Sequence, residues 1–139
     1  DEIVAEGGVK DVLLRIDGGE EIGTRFCASA TRLESRKRWL ASGLALHGAI
    51  VVDEGAVRAL RSGSGSLLPA GVRSVKGQFV RGDTVEICTE SGERIASGVV
   101  NYDARDVRTV MGHQSHEMSD LLADVFGDEI VHRNNMVVL

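Results

Sequence analysis

The sequence predicts an α+β fold that is mainly β: a pseudo-barrel of short mixed strands with short helices, preceded by a remnant of an α/β domain. Three observations support this prediction. From residue 48 onward, short apolar runs alternate with glycine-containing turns, as in small barrels. That region contains few segments with helical periodicity. Residues 1 to about 26 carry too few apolar runs to build a core of their own.

Residues 1–30 are interpreted as the C-terminal remnant of a preceding domain. "DEIVAEGG" suits the last turns of a helix with a glycine C-cap, "DVLLRI" at 11–16 suits a buried strand, and "GTRF" suits a final strand. The chain starts at Asp1 rather than Met, so we expect a piece of a longer polypeptide. The strand at 11–16 would lack its sheet, and we therefore expect self-association or a flexible N-terminus.

A linker helix is predicted within residues 31–47. Thr31 or Ser35 would cap its start and Gly43 would end it. The segment is mostly polar, so the helix should have a single apolar edge. That edge consists of Leu33, Trp39 and Leu40.

The remaining domain, residues 48–139, is predicted to alternate strands and short helices. "GAIVV" is a strand, and "DEGAVRALRSG" is a helix with Asp53 as its N-cap and Gly63 as its stop. "VRSVKG" and "DTVEIC" alternate with period two, and "ERIASGVV" is the hairpin partner of the second. The "RGD" at 81–83, between "VRSVKG" and "DTVEIC", is a turn. Helices at 104–111 and 116–125 precede a closing strand, "MVVL".

Composition limits the classes of function. The 139 residues contain 16 Lys and Arg against 21 Asp and Glu, a net charge of -5 that does not favour general attraction to nucleic acid. Cys27 and Cys88 lack metal-binding spacing, so we expect reduced, structural thiols. No apolar run reaches the roughly 20 residues that span a bilayer, so we expect a cytoplasmic protein without a membrane partner.

The residues alone reveal no active site. His113 and His116, with Glu117 beside them, could be imagined as metal ligands, but the zinc-hydrolase arrangement is absent, and histidines that are structural or exposed are the better interpretation. His132 and Arg133 could bind an anion, although a solvated strand end is favoured. No phosphate-binding loop, dinucleotide fingerprint or serine-nucleophile motif occurs.

A family resemblance adds to these observations. "VVDEGAVRAL", "SLLPAGVRSVKGQFVRGDTVEI" and "IASGVVNY" resemble the PUA domain, the small pseudo-barrel of pseudouridine synthases and archaeosine transglycosylases, from about Gly48 to Tyr102. With "GTRF", "SRKRWL" and "VHRNNMV", nearly the whole chain resembles the C-terminal part of the glutamate 5-kinase family. Each motif is weak alone, and the specificity lies in their order.

The resemblance implies a parent enzyme that phosphorylates the γ-carboxylate of L-glutamate with Mg-ATP, in the first step of proline biosynthesis. Its amino-acid-kinase domain would precede the PUA domain and hold the glutamate, ATP and Mg sites. The family's phosphate loop and catalytic residues have no matching positions in residues 1–26. We therefore expect no catalytic, cofactor-binding or metal residue in this chain, and no activity of the chain by itself.

The resemblance also implies where an RNA groove would lie. In RNA-binding PUA relatives it is formed by the helix after the first strand and by the following glycine-containing turn, here Asp53–Leu60 and Leu67–Val75. The available cations are Arg58, Arg73 and Lys76. Asp53 and Glu54 oppose phosphate, so RNA is not favoured as a partner.

The basic cluster Arg36, Lys37 and Arg38, followed by Trp39, has two interpretations. In the favoured one, Trp39 packs at a domain junction while the cations meet carboxylates of a neighbouring domain or stay solvated. In the other, the cations contact phosphate or RNA.

Three hypotheses follow for the function. The chain is a structural or regulatory part of a glutamate 5-kinase, with its own N-terminal kinase domain as partner and a homo-oligomeric parent. Alternatively, it is an RNA-binding PUA module of a tRNA-modifying enzyme. A third hypothesis is an interaction module that serves oligomer assembly.

Overall fold

The computed structural model describes residues 2–27, 32–41, 46–63 and 65–139, and within 32–41 the side chains of 34, 35 and 37–40. The chain divides into two compact units, Asp1–Arg32 and Leu33–Leu139. No helix in the described ranges combines the length and the apolar character needed to cross a membrane.

The N-terminal unit contains strand β1 (Glu2–Val4), helix α1 (Val12–Asp17) and strand β2 (Thr24–Phe26). The two strands pair antiparallel, with Ile3 opposite Arg25. The prediction of β2 is confirmed, but the other two assignments are wrong: "DEIVAEGG" starts with a strand and "DVLLRI" forms a helix. A short apolar run cannot be assigned to a strand or a helix by its periodicity alone, and this run also contains Arg15.

Two glycines end α1. The Gly18 amide donates to the Leu14 carbonyl at 2.9 Å, and the Gly19 amide donates to the Ile16 carbonyl at 3.0 Å. Gly19 has φ of +86°, a left-handed conformation that favours glycine after a helix end. Leu13 and Leu14 remain 78% and 73% exposed, so the burial predicted for this run is absent from the unit.

Helix α2 (Arg32–Ala41) confirms the helix predicted in the linker, and from Leu33 on it belongs to the second unit. Leu40 on its apolar edge is buried, with only 1% of its surface exposed. Ser35 lies inside the helix instead of capping it. Thr31 and Gly43, the other predicted cap and stop, lie outside the described residues.

The second unit contains a five-stranded sheet with the order β4-β3-β5-β6-β7. β3 and β5 pair parallel, and the other neighbouring pairs are antiparallel. The predicted β5–β6 hairpin is therefore confirmed, as are the other predicted strands of this unit. The strands are β3 (Leu46–Val52), β4 (Val72–Gly77), β5 (Thr84–Thr89), β6 (Arg94–Val99) and β7 (Met136–Val138).

Short helices connect these strands. They are α3 (Glu54–Arg61), α4 (Ala104–Val110), α5 (Met118–Leu121) and 3-10 turns at Pro69–Gly71, Ser115–Glu117 and Arg133–Asn135. As predicted, the Asp53 side chain caps α3 by accepting a hydrogen bond from the Ala56 amide at 2.8 Å. Gly63, with φ of +75°, follows its end.

The predicted helix at 116–125 is shorter than expected. After α5 the chain becomes extended at Leu122. The Tyr102 hydroxyl accepts a hydrogen bond from the Phe126 amide at 2.8 Å and donates one to the Gly127 carbonyl. The buried Tyr102 side chain thus satisfies backbone groups of the extended segment that follows α5.

The core lies between the inner face of the sheet and the helices. Ile50 and Ile87 from adjacent strands, Tyr102, and Val107 from α4 are buried in one apolar cluster. β5 departs from the predicted alternation, because Thr84 and Cys88 are buried as well as the core-facing residues of the strand. A central strand with both faces covered does not show the period of a half-exposed strand.

Candidate nucleic-acid interface

The structure brings together the two stretches that the PUA resemblance assigns to an RNA groove. α3 and the segment leading into β4 enclose a shallow groove of about 260 Å³. The Asp53 amide donates to the Gly71 carbonyl at 3.0 Å. Gly71 permits the close approach, since a Cβ at this position would stand 2.7 Å from the Ala56 Cβ. The groove lining includes Asp53, Gly55, Ala56, Ala59, Ser66 and Leu68.

The groove has few polar or charged side chains in its lining. Its lining is mostly small and apolar, with Leu68 exposed at one wall. Among the lining residues the one charged group is the Asp53 carboxylate. A carboxylate repels the phosphate groups of a nucleic acid, so the groove itself offers shape without attraction.

Arg73 lies beside this groove, but its guanidinium is engaged. The register of β3 and β4 shifts so that Ser74 faces Val51 and Val72 faces Val52, which leaves Arg73 outside the ladder. Its Nη2 forms an ion pair with Asp53 Oδ2 at 3.1 Å. An anion in the groove would have to compete with Asp53 for this cation.

Arg58 points to a different surface. It is exposed and lines a second hollow of about 470 Å³, together with Glu54 and residues of the β5–β6 turn. Arg61 lines the same hollow and pairs with Glu93 at 3.1 Å. Carboxylates therefore accompany the cations here too.

Lys76 lies on the outer face of the sheet. It stands opposite Ala49, which has Glu86 on its other side, so Lys76 and Glu86 flank Ala49 on one face. Cys88 shares this face, and its burial, reinforced by Glu86, raises the pKa of the Cys88 thiol. Arg58, Arg73 and Lys76 are thus placed on three surfaces instead of one.

The basic cluster lies on α2. Lys37 and Arg38 are exposed, and Trp39 is 51% exposed. The side chain of Arg36 lies outside the described residues. Since Leu40 is buried and the helix advances 100° per residue, Arg38 projects away from the buried edge, with Trp39 and Lys37 on either side of it.

His113 and His132 contact neighbouring residues through their rings. His113 Nδ1 lies 3.6 Å from Glu117 Oε1. The Gln114 amide donates to the Glu117 carboxylate at 2.6 Å, and this bond, aided by His113, lowers the pKa of Glu117. His132 Nδ1 accepts from the Asn134 amide. In the described ranges, no three His, Cys, Asp or Glu side chains group as metal ligands do.

Sequence reasoning missed the Asp53–Arg73 pair. The two residues are 20 positions apart and belong to a helix cap and a bulged strand. The sequence carries no signal that these two positions meet. The resemblance placed both residues at the groove, however, and opposite charges at one groove are a reason to test for a pair.

Comparison with known proteins gives the family. The model of the PUA domain matches residues 48–122. The curated relatives include the glutamate 5-kinase of Deinococcus radiodurans, 44% identical over 137 residues that make up 99% of this chain and 38% of that protein. The glutamate 5-kinase of Dehalococcoides mccartyi (strain CBDB1) is 42% identical over 99% of this chain and 37% of its own length. The chain spans less than two fifths of the length of these relatives.

Two solved structures with PUA in their description are similar to parts of the chain. A PUA domain from Aeropyrum pernix K1, solved with tartrate, is 24% identical, with a TM-score of 0.47 over 69% of this chain and 48% of that one. A PUA domain protein from Thermoplasma acidophilum is 32% identical, with a TM-score of 0.42 over 47% of this chain and 43% of that one. The family model alone covers more than half of the sequence, and the chain therefore belongs to the PUA domain family.

Proposed function

We propose that this chain is the C-terminal, PUA-containing part of a glutamate 5-kinase. The whole enzyme would transfer a phosphoryl group from ATP to the γ-carboxylate of L-glutamate, giving L-glutamyl 5-phosphate in the first step of L-proline biosynthesis in the cytoplasm. The observation that carries the proposal is the identity of 42–44% to proteins of that name over 99% of the chain. Identity at this level includes the N-terminal unit as well as the PUA domain.

The N-terminal unit supports the proposal physically. This unit exposes the apolar side chains of Val4, Leu13, Leu14 and Phe26. So many exposed apolar residues on so short a segment are typical of a surface that packs against another part of a protein. The remainder of an α/β kinase domain would supply that packing.

The catalytic groups would lie outside this chain. ATP with Mg²⁺ needs a phosphate-binding loop and a set of oxygen ligands. The described residues do not fit this requirement, because no metal-ligand cluster occurs among them and the groove beside α3 holds one carboxylate and no free cation. The role proposed for the PUA domain is structural or regulatory.

The proposal is tested on the native polypeptide. An antibody raised against the chain would capture it from the source cells, and its mass would be measured. We expect a protein larger than 14.9 kDa by roughly 100–300 residues. The captured protein should consume ATP only with L-glutamate, and hydroxylamine should trap the acyl phosphate as a hydroxamate.

Two results would contradict the proposal. A native polypeptide with the mass of the chain alone would show that the chain is not part of a longer kinase. Glutamate-dependent ATP turnover by the isolated chain would show that catalytic groups lie within it.

The competing hypothesis is an RNA-binding module of a tRNA-modifying enzyme. It predicts salt-sensitive retention of tRNA that weakens when Arg58, Arg73 and Lys76 are neutralised. Their separation on three surfaces, and the pairing of Arg73 with Asp53, do not favour it. Retention that weakens as salt rises from about 0.05 to 0.2 M and is lost in the triple variant would support RNA binding instead.

A further inference from the structure

A third hollow lies between the loop that follows α3 and strand β7. Its volume is about 260 Å³. Among its described lining residues, the charged groups are the two cations Lys37 and Arg133, and we therefore call it the basic hollow. The lining includes Lys37, Leu60, Gly63, Gly65, Arg133 and Met136.

The charge of the basic hollow differs from that of the two hollows beside α3. Each of those has at least one carboxylate in its lining. Apart from Lys37, the lining of the basic hollow comes from residues 55–68 and 131–139, and neither segment contains an Asp or Glu in its sequence. An anion in this hollow would therefore meet two positive charges without an opposing carboxylate among the described lining residues.

The two cations come from separate elements, since Lys37 lies on α2 and Arg133 on the last 3-10 turn. Both side chains are exposed. Neither forms a hydrogen bond or an ion pair with another residue in the part of the chain that the structure describes. Arg61 and Arg73, in contrast, are each paired with a carboxylate. An anion could thus bind both cations of the basic hollow without breaking an existing pair.

The backbone around Arg133 is held in place before any ligand binds. The Arg133 amide donates to Ser66 Oγ at 3.1 Å. The Leu67 amide donates to the Val131 carbonyl at 2.9 Å, and the Leu67 carbonyl accepts from the Ile130 amide at 2.8 Å. These bonds fix the loop after α3 against the segment that carries Arg133. A fixed backbone lowers the entropic cost of ordering a binding site.

The shape of the basic hollow suits a small ligand. Leu60 and Met136 are buried, with 1% and 4% of their surfaces exposed, and they give the hollow an apolar floor. The two glycines of the loop leave the backbone open to a ligand. Ligand pockets for drug-sized molecules have volumes of about 300–1,000 Å³, and this hollow is smaller.

We propose that the basic hollow binds a small phosphate dianion, either inorganic phosphate or a phosphate monoester. Arginine binds phosphate oxygens through its planar N–H donors, and lysine binds phosphate as a point charge. Arg133 would donate to two of the oxygens, while Lys37 would balance the second negative charge. The proposal does not depend on the kinase assignment, and it uses none of the three cations that the PUA resemblance assigns to an RNA groove.

The test titrates the isotope-labelled whole chain with inorganic phosphate and with phenyl phosphate and follows its amide NMR signals. Sodium chloride at the same ionic strength is the blank. We expect the amide signals of Gly63, Gly65 and Arg133 to shift and saturate, with half-saturation at about 1–10 mM. Tighter binding of phenyl phosphate would assign the site to a monoester whose apolar part lies on Leu60 and Met136, and equal binding would assign it to free phosphate.

Variants show whether the two cations are responsible. Lys37→Gln and Arg133→Gln should each weaken binding by about tenfold or more, because each removes a charge-assisted hydrogen bond. The matched control Lys10→Gln/Arg105→Gln removes one lysine and one arginine that are exposed outside the hollow lining. It should leave the affinity within about threefold. Unchanged amide signals far from the hollow would confirm that each variant is folded.

Three results would overturn the proposal. One is a titration that does not saturate, or that sodium chloride reproduces at equal ionic strength, since general screening would then explain the shifts. Another is equal binding by the two single variants and the matched control. The third is binding of tRNA that is much tighter than that of phosphate and is lost in the same two variants, because the site would then serve a nucleic acid.

Discussion

Replacing Asp53 by alanine would test how one carboxylate supports both a helix and the candidate groove. Asp53 Oδ1 accepts the amide hydrogen of Ala56 at 2.8 Å, and Oδ2 pairs with Arg73 at 3.1 Å. The two oxygens have separate partners, so the substitution removes two interactions. The cap and the ion pair can be measured separately, because Asp53→Asn keeps the cap and Arg73→Gln removes only the ion pair.

The expected loss follows from these two contacts. Removing an N-cap side chain costs typically about 1 kcal/mol and up to about 2. The pair with Arg73 is worth about 0–1 kcal/mol, since the arginine side chain is half exposed. Asp53→Ala should therefore lower the free energy of unfolding by about 1–3 kcal/mol. For a chain of this length, each kcal/mol lowers Tm by about 3–5 °C.

Urea unfolding of four variants separates the contributions. Asp53→Asn keeps a side-chain oxygen that caps helices as well as aspartate does, but it removes the charge. It should therefore lose only the stability contributed by the ion pair with Arg73. Arg73→Gln should cost the same small amount. The double variant, Asp53→Ala combined with Arg73→Gln, should cost no more than Asp53→Ala alone, because the ion pair is already lost.

Three outcomes would refute these assignments. If Asp53→Asn destabilised the protein as much as Asp53→Ala, the cap at Ala56 would contribute nothing. If both variants matched the wild type within about 0.3 kcal/mol, neither contact would exist in solution. Losses that add fully in the double variant would show that Arg73 does not depend on Asp53.

Three further predictions concern other parts of the second unit. Gly98→Ala should cost about 1–3 kcal/mol in urea unfolding, because its Cβ would stand 2.5 Å from Val131 Cγ1, whereas Gly7→Ala, with open space, should cost far less. Burial raises the pKa of the Tyr102 hydroxyl. The stabilising contribution of the neutral hydroxyl is therefore complete below about pH 10 and is lost as pH rises through the pKa of the folded state. Tyr102→Phe should remove this loss of stability at alkaline pH. The pKa of Glu117 is lowered by the Gln114 amide, so its contribution is present above about pH 4.5 and lost as pH falls; Glu117→Gln should abolish that acid dependence in thermal unfolding.

Local signals in the sequence were sufficient for much of the second unit. Asp53 and Gly63 mark the two ends of α3 because capping is decided within a few residues. The β5–β6 hairpin follows from two strand-like runs separated by a short turn. The parallel pairing of β3 with β5 could not be predicted from the sequence, because β4 and a helix lie between them in the chain.

The N-terminal unit shows where local signals fail. Val12, Leu13, Leu14 and Ile16 fit a buried strand as well as a helix, because so short an apolar run carries too little periodicity to separate the two. Here β1 and β2 pair with each other, and the apolar run becomes a helix with two exposed leucines. The expectation of self-association or a flexible N-terminus stays a prediction.

The candidate groove was located by resemblance, but its electrostatics came only from the structure. The three cations assigned to it are separated because α3, the β4 bulge and the outer sheet face point in different directions. Side-chain direction depends on register, and the register shift at Arg73 leaves no mark in the sequence. An estimate of the positive potential at the groove from the positions of the charges in the sequence is therefore too high.

The arrangement at Asp53 also limits what the groove can bind. Because Oδ1 caps α3 and Oδ2 holds Arg73, an anion could draw Arg73 away without loosening the helix. The freed Oδ2 would then face the anion unpaired, and that repulsion would offset the new contact with Arg73. A neutral ligand meets no such penalty, since it leaves the ion pair intact and the groove walls are small and apolar. The groove of this chain is thus better suited to an uncharged group than to a phosphate backbone, and Asp53→Asn is the single change that should shift it toward anions.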